Sequence, residues 1–191
     1  MKNYTPGIIV HEFITRNGDE AVIRYPQPSD VGAMTEYANT LSAEDTYVTL
    51  SGEQFSLDQE QSFLDDEFHK IEDGDGVLLI CTVEGTMVGI CGITRNQRGR
   101  KRSMHLGIFG ISIHKNYRGQ GLGFELAKAT IDEAKLNIDG IQIVTLSVYK
   151  PNTAAYEMYK KLGFIEYGML PEGVIYKDGY LDKILMYKKV I

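Results

Sequence analysis

Three glycines within six residues, Arg118-Gly119-Gln120-Gly121-Leu122-Gly123, lie between an apolar run, Ile108 to Ile113, and a helical stretch, Phe124 to Lys135. A turn so poor in side chains lets several backbone N–H groups converge on one anion. The helix behind it aims the positive end of its dipole at the same point. A strand, a glycine turn and a helix in that order suit a pyrophosphate. Two common phosphate loops do not fit. An NTPase loop ends in Gly-Lys-Ser/Thr, whereas Gly123 is followed by Phe124 and Glu125. A dinucleotide fingerprint needs G-x-G-x-x-G, whereas Gly119, Gly121 and Gly123 give G-x-G-x-G.

The rest of the pattern predicts a mixed α/β chain. Residues 8–15 and 20–25 read as a hairpin about Asn17-Gly18-Asp19. Pro26 and Pro28 end it, and Ser29-Asp30 can cap a helix running to about Leu41. A second helix is expected from Leu57 to about Glu72, with Phe63, Leu64, Phe68 and Ile71 as its apolar side. Val77–Val83 and Met87–Thr94 form an apolar hairpin about Glu84-Gly85, and the basic stretch Arg95–Arg102 reads as an exposed loop. Met104–Ile113 reads as a long strand, in which Gly107 and Gly110 suggest a bulge or a close backbone approach. Beyond the glycine turn, Phe124, Ala127, Ile131, Ala134 and Ile138 recur at helical spacing. A strand over Ile141–Tyr149 follows, then a short helix, Thr153–Leu162, opened by Pro151-Asn152 and closed by Gly163. Phe164–Leu170 and Tyr180–Lys188 read as the last strands. The order ββ-αα-βββ-α-β-α-ββ fits a single domain over residues 1–191, with residues 1–19 as an N-terminal strand decoration.

Composition sets the outer bounds. At 191 residues and 43% hydrophobic content the chain can bury a proper core. No apolar stretch approaches the roughly 20 residues of a membrane helix. The patch Gly7-Ile8-Ile9-Val10 is too short for a secretory signal, so a cytoplasmic setting is expected, with no membrane partner. Net charge is −6 but uneven, since residues 38–76 hold eleven acids against one base, Lys70. An acidic lobe repels nucleic acid and attracts cations, so it is either a solvated helical face or a dock for a cationic acceptor. The basic stretch 95–102 has no interleaved aromatics, and no nucleic-acid partner is expected. A turn at Glu84-Gly85 would pair position 81 with 88 and place Cys81 and Cys91 on opposite faces as core thiols. They lack the short spacing of a zinc site, and no metal is expected.

Residues 108–164 resemble the GNAT superfamily of acyl-CoA-dependent N-acetyltransferases. The segment Ile111 to Gly123 fits that family's [Q/R]-x-x-G-x-[G/A] pyrophosphate loop. About thirty residues on, Asn152, Ala155, Tyr159 and Gly163-Phe164 give the spacing N-x-x-A-x-x-x-Y-x-x-x-G-F, the family's second signature. More loosely, Ile23-Arg24 with Ser29-Asp30 looks like the family's first strand and helix cap, and Tyr180–Tyr187 like its closing strand. The resemblance implies the GNAT fold: a central, mostly antiparallel mixed sheet with helices on both faces and a bulged strand before the pyrophosphate loop.

It also implies roles. Arg118, Gly119, Gln120, Gly121, Leu122 and Gly123 would cradle the diphosphate of acetyl-CoA, and backbone groups at Ile111 and Ile113 would hold the pantetheine arm. Asn152 reads as a helix N-cap, and the resemblance adds a contact with that arm. Tyr159, on the inward stripe of its helix, would protonate the departing thiolate as general acid. Tyr156, on the neighbouring face, reads as packing. Family members often carry a base glutamate in the bulged strand, but residues 104–113 contain no acid. His105 is the titratable residue there and the candidate base; Ser112 could instead hold a water, or Glu44 or Glu84 could approach. Arg95–Arg102 could reach the 3′-phosphate of CoA. The expected activity is direct transfer of acetyl to a primary amine. The acidic segment favours a cationic small molecule, with a protein N-terminus or lysine as the rival acceptor. A non-catalytic acetyl-CoA-binding regulatory module is the alternative of another class. Edge strands at the C-terminal side allow a homodimer.

Overall fold

Eight strands and four α-helices follow one another in the predicted order in the computed structural model, which describes residues 4–96 and 100–191. The strands are β1 (Ile9–Ile14), β2 (Glu20–Arg24), β3 (Gly76–Val83), β4 (Thr86–Arg95), β5 (Leu106–Ile113), β6 (Ile143–Tyr149), β7 (Ile165–Tyr176) and β8 (Gly179–Lys189). The helices are α1 (Val31–Ala43), α2 (Leu57–Glu72), α3 (Leu122–Asn137) and α4 (Thr153–Lys161). Hydrogen bonding orders the strands β1-β2-β3-β4-β5-β6-β8-β7. The β5–β6 pair is parallel, while β1–β2, β2–β3, β3–β4, β6–β8 and β7–β8 are antiparallel. This is the mixed α/β fold with a mostly antiparallel sheet that the sequence implies. Two compact units divide the chain: Met1–Thr94 with Gly110–Asp139, and Arg95–Phe109 with Gly140–Ile191.

In the first unit β3 is the central strand, and all eight of its residues are buried. A strand buried on both faces reads as a continuous apolar run, and Gly76-Val-Leu-Leu-Ile-Cys-Thr-Val83 is one. Helices α2 and α3 pack against it. Each fully buried leucine or isoleucine, such as Leu79 or Ile80, contributes about 1.5–3 kcal/mol. Next to this core, both terminal guanidinium nitrogens of Arg24 donate to the Asp30 carboxylate, at 2.7 and 2.8 Å. The Gln27 N–H also donates to it, at 2.8 Å. Burial pushes the Asp30 carboxyl up, but these bonds and the guanidinium charge bring it below the usual range. The resulting stability is present above the ordinary carboxylate pKa and is lost as pH falls through the lower folded value. The Tyr25 hydroxyl donates to Glu133 of α3 at 2.8 Å, tying the end of β2 to that helix.

Several expectations shift. Glu84 and Gly85 both have positive φ (47° and 76°), as a two-residue type I′ hairpin turn requires. Yet Cys81 pairs with Gly89, not position 88, because β4 carries an irregularity there: Thr82 pairs with Met87 and Val88 is extra. That one-residue slip puts Cys91, opposite Leu79, on the same face as Cys81 instead of the opposite one. Both thiols are buried and free, and burial pushes each up to about 12, which keeps them protonated and inert. The buried stripe of α2 is Glu60, Leu64, Glu67 and Ile71, while Phe63, expected on the apolar side, is 40% exposed. Helical periodicity alone did not separate these neighbouring faces.

The second unit holds the first half of β5 with β6, β8 and β7, and α4. Strand β5 starts at Leu106, since Met104 and His105 form a turn. Arg95 is 6% exposed and donates to the Met104 carbonyl, so the basic stretch begins buried. Residues 97–99 of that stretch, Arg98 among them, lie outside the described residues. The expected connection 171–178 is largely strand: β7 continues through Pro171 with a register shift between Leu170 and Val174. An edge strand tolerates proline at such an irregularity, because no ladder bond needs its missing N–H. No helix among the described residues is long and apolar enough to cross a membrane.

Candidate active site

The first unit carries the glycine turn. After β5 the chain makes a 3₁₀ turn at Lys115–Tyr117 and then passes through Gly119 (φ +80°) and Gly121 (φ +94°) into α3, with Gly121 as the N-cap. L-residues reach such angles only at a cost, so glycine is required at both positions. Among the described residues the N–H groups of Gly119, Gln120, Gly121, Leu122 and Gly123 donate to no protein acceptor. A Cβ at Gly119 would meet no atom within 4 Å, so the space over the turn is open. Unspent donors, an open face and a sixteen-residue helix behind them fit a diphosphate. In β5, a Cβ at Gly110 would likewise meet nothing within 4 Å, and pairing with β6 is recorded only over Leu106–Ile108. An extended ligand arm can lie along an unfilled strand face of this kind.

Arg118 is placed differently from what the sequence suggests. Its Nε donates to the Ile113 carbonyl at 2.8 Å, and its Nη2 is ion-paired with Glu44 at the end of α1. The Glu44 side chain is 3% exposed and also accepts from the Lys115 N–H at 3.1 Å. Arg118 and the Ile113 carbonyl thus brace the turn, with the Arg118 charge balanced by Glu44. Ile111 lies half-buried in the same strand. Ser112, a candidate holder of water, has its hydroxyl 2.9 Å from that of Tyr37 on α1. Burial raises the Tyr37 phenol well above its ordinary value, so it stays protonated. Glu84 is exposed and accepts from the Glu20 N–H at 3.0 Å, which gives it a hairpin role.

The same accounting thins the acidic segment. Glu44 is spent on Arg118, and Glu67 is ion-paired with Lys70. Glu53 accepts from the Ser51 N–H and from the hydroxyl of Ser42. Glu60 is 8% exposed, and burial raises its carboxyl toward the neutral form. Three of the segment's eleven acids, Glu44, Glu53 and Glu67, thus have partners within the fold.

The second unit carries the other signature. Asn152 is the N-cap of α4, its Oδ1 accepting from the Ala155 N–H at 3.2 Å. Tyr159 is 7% exposed, on the inward side of α4 as expected. Its ring stands edge-on to Phe109 (5.8 Å) and Phe164 (5.9 Å), so two neighbouring rings fix its direction. Tyr156 bonds Glu166 at 3.0 Å, a surface contact. The His105 carbonyl accepts from the N–H groups of Gln142 and Ile143, at 2.9 and 3.1 Å, registering β6 beside β5.

Tyr37 and Arg16 join the glycine-turn region with no signal of their own in the sequence, and Glu44, a candidate base there, is the ion-pair partner of Arg118 instead. Tyr37 and Glu44 come from α1, and Arg16 comes from the β1–β2 turn, where its N–H donates to the Gln120 carbonyl at 3.3 Å. The contacts span roughly a hundred residues for Arg16 and seventy or more for the α1 pair.

The model of the acetyltransferase (GNAT) family matches residues 43–164. L-amino acid N-acetyltransferase AaaT of Escherichia coli is 28% identical over 110 residues, 56% of this chain and 65% of that protein. The [ribosomal protein bS18]-alanine N-acetyltransferase of E. coli is 35% identical over 79 residues, 41% of this chain and 52% of that protein. The matched segment thus spans about half to two thirds of these relatives' length. Among solved structures, a GNAT-family acetyltransferase from Streptococcus pneumoniae superimposes with a TM-score of 0.79 at 29% identity, covering 88% of this chain and 98% of that one. The fold also matches yncA from Salmonella typhimurium, solved with its cofactor acetyl-CoA, with a TM-score of 0.77 at 19% identity over 90% and 94% of the two chains.

Proposed function

We infer that this chain, which belongs to the acetyltransferase (GNAT) family, transfers acetyl from acetyl-CoA to the α-amino group of an amino acid or a peptide N-terminus. The observation that carries the reading is the glycine turn, with five unspent N–H donors at the head of α3. Those donors would hold the diphosphate, while Asn152 serves as the N-cap of α4. The acceptor amine attacks the thioester carbonyl, a backbone N–H stabilises the oxyanion, and Tyr159 gives its proton to the leaving thiolate.

The choice of acceptor follows from proton chemistry. A lysine-like or polyamine nitrogen has a pKa near 10, so only about one molecule in a thousand is neutral near neutral pH. The α-amino group of a peptide, with a pKa near 8, is roughly a tenth neutral there. An enzyme without a base glutamate in β5 is therefore better matched to a peptide α-amine than to a lysine-like one, by about two powers of ten. The relatives' names point the same way: one acts on L-amino acids and one on the alanine of a ribosomal protein. The pairing of Glu44 and Glu67 within the fold weakens the case for a polycation. The test is acetyl transfer to a panel of amino acids, short peptides with a blocked lysine, spermidine and aminoglycosides. Amino acids or peptide N-termini should turn over fastest. A preference for spermidine or an aminoglycoside would reinstate the cationic small molecule. Tight acetyl-CoA binding with no turnover of any acceptor would instead favour a regulatory module.

His105 is the base the sequence offers, but its position suits another task. It lies four residues before Phe109, about 13 Å at an extended rise, and Phe109 is the ring that Tyr159 touches. With an acceptor that loses its proton to solvent, His105→Ala should change kcat/KM by less than about threefold across the pH profile. A loss of about a hundredfold, confined to the neutral range, would restore His105 as the base.

A further inference from the structure

We propose that Arg16, in the turn between β1 and β2, is a binding residue for the diphosphate of acetyl-CoA; this rests on the cofactor reading given above. The glycine turn must receive a group with two negative charges, yet its own arginine is neutralised: Arg118 is ion-paired with Glu44, whose side chain is 3% exposed. Arg16 reaches the same turn from the other side. Its main-chain N–H donates to the Gln120 carbonyl at 3.3 Å, which fixes where the residue sits. Its Nη1 makes only a long contact with the Gly119 carbonyl, at 3.5 Å. Its Nε lies 3.8 Å from the point a Cβ on Gly121 would occupy. The guanidinium therefore hangs over the two positive-φ glycines whose N–H groups are unspent. No carboxylate pairs with it among the described residues. A planar guanidinium with one weak carbonyl contact can exchange it for two phosphate oxygens, which is the geometry arginine recognises best. On this account the β1–β2 hairpin contributes to the cofactor site, as the strap that carries an arginine with no carboxylate partner among the described residues.

The experiment compares wild type with Arg16→Gln and Arg16→Lys, using three donors: acetyl-CoA, acetyl-dephospho-CoA and acetyl-pantetheine. The main-chain bond to Gln120 survives both substitutions, so the turn keeps its anchor. For Arg16→Gln the KM for acetyl-CoA should rise about tenfold or more, with kcat changed less than about twofold. Arg16→Lys should recover part of that loss, as a point charge without the fork. The penalty should persist with acetyl-dephospho-CoA, which keeps the diphosphate, and vanish with acetyl-pantetheine, which lacks it. An unchanged KM for acetyl-CoA would overturn the proposal. Loss of the penalty with acetyl-dephospho-CoA would move the contact to the 3′-phosphate and overturn it as stated. An equal penalty with acetyl-pantetheine would make Arg16 a support for the turn only. Calorimetry of CoA with wild type separates the two levels: absent binding there overturns the cofactor reading and this inference together, whereas normal binding with an indifferent Arg16 overturns the inference alone.

Discussion

Replacing Tyr159 with phenylalanine should lower kcat by about a hundredfold or more, while the KM for acetyl-CoA stays within about threefold. The phenol is the group proposed to protonate the CoA thiolate as the tetrahedral adduct collapses. Phenylalanine keeps the ring, and the ring is what packs between Phe109 and Phe164 at 5.8 and 5.9 Å. The variant should therefore fold, with a melting temperature within about 4 °C of wild type. Steady-state kinetics with a thiol-reactive reporter reads both parameters directly. A kcat within threefold of wild type would mean that solvent protonates the thiolate, and Tyr159 would then be a core residue.

The second large effect falls on binding. Alanine at both Gly119 and Gly121 should weaken CoA binding by about thirtyfold or more. Neither methyl group meets an obstacle, since the Gly119 position is open and the Gly121 position approaches only Arg16 Nε, at 3.8 Å. The whole cost is conformational: φ of +80° and +94° is unfavourable for an L-residue by about 1–2 kcal/mol each. The turn must either store that strain or relax and turn its N–H groups away from the ligand. Calorimetric titration with CoA measures the loss, and a thermal melt separates it from global unfolding. Undiminished affinity would show that the turn's backbone does not hold the diphosphate.

The ease with which different parts of this chain can be read follows from how local their causes are. The element order, α2 and the ends of α3 and α4 were legible, because a cap such as Asn152 and a breaker such as Gly163 act on their nearest neighbours. The glycine turn was legible because φ sets the residue type. Register was not: the extra residue at Val88 in β4 reverses the expected relation of Cys81 and Cys91, and nothing in the local pattern announces an irregularity. Polar bookkeeping was hidden for a similar reason. Arg118 gains its Glu44 partner from the end of α1, and Glu53 of the acidic segment meets Ser42 eleven residues away, pairings that no local pattern announces. Arg16 is the same case in reverse, an ordinary hairpin residue in the sequence that the fold sets against Gly119 and Gln120.

The most direct measurement uses one short peptide that carries both a free α-amine and an unblocked lysine, incubated with the protein and acetyl-CoA near neutral pH. Fragment mass spectrometry of the product locates the acetyl group. The account predicts one acetyl on the α-nitrogen, formed with stoichiometric release of CoA and lost in Tyr159→Phe. Acetyl on the lysine ε-nitrogen, or no acetylated peptide alongside active turnover of a polyamine, would contradict it.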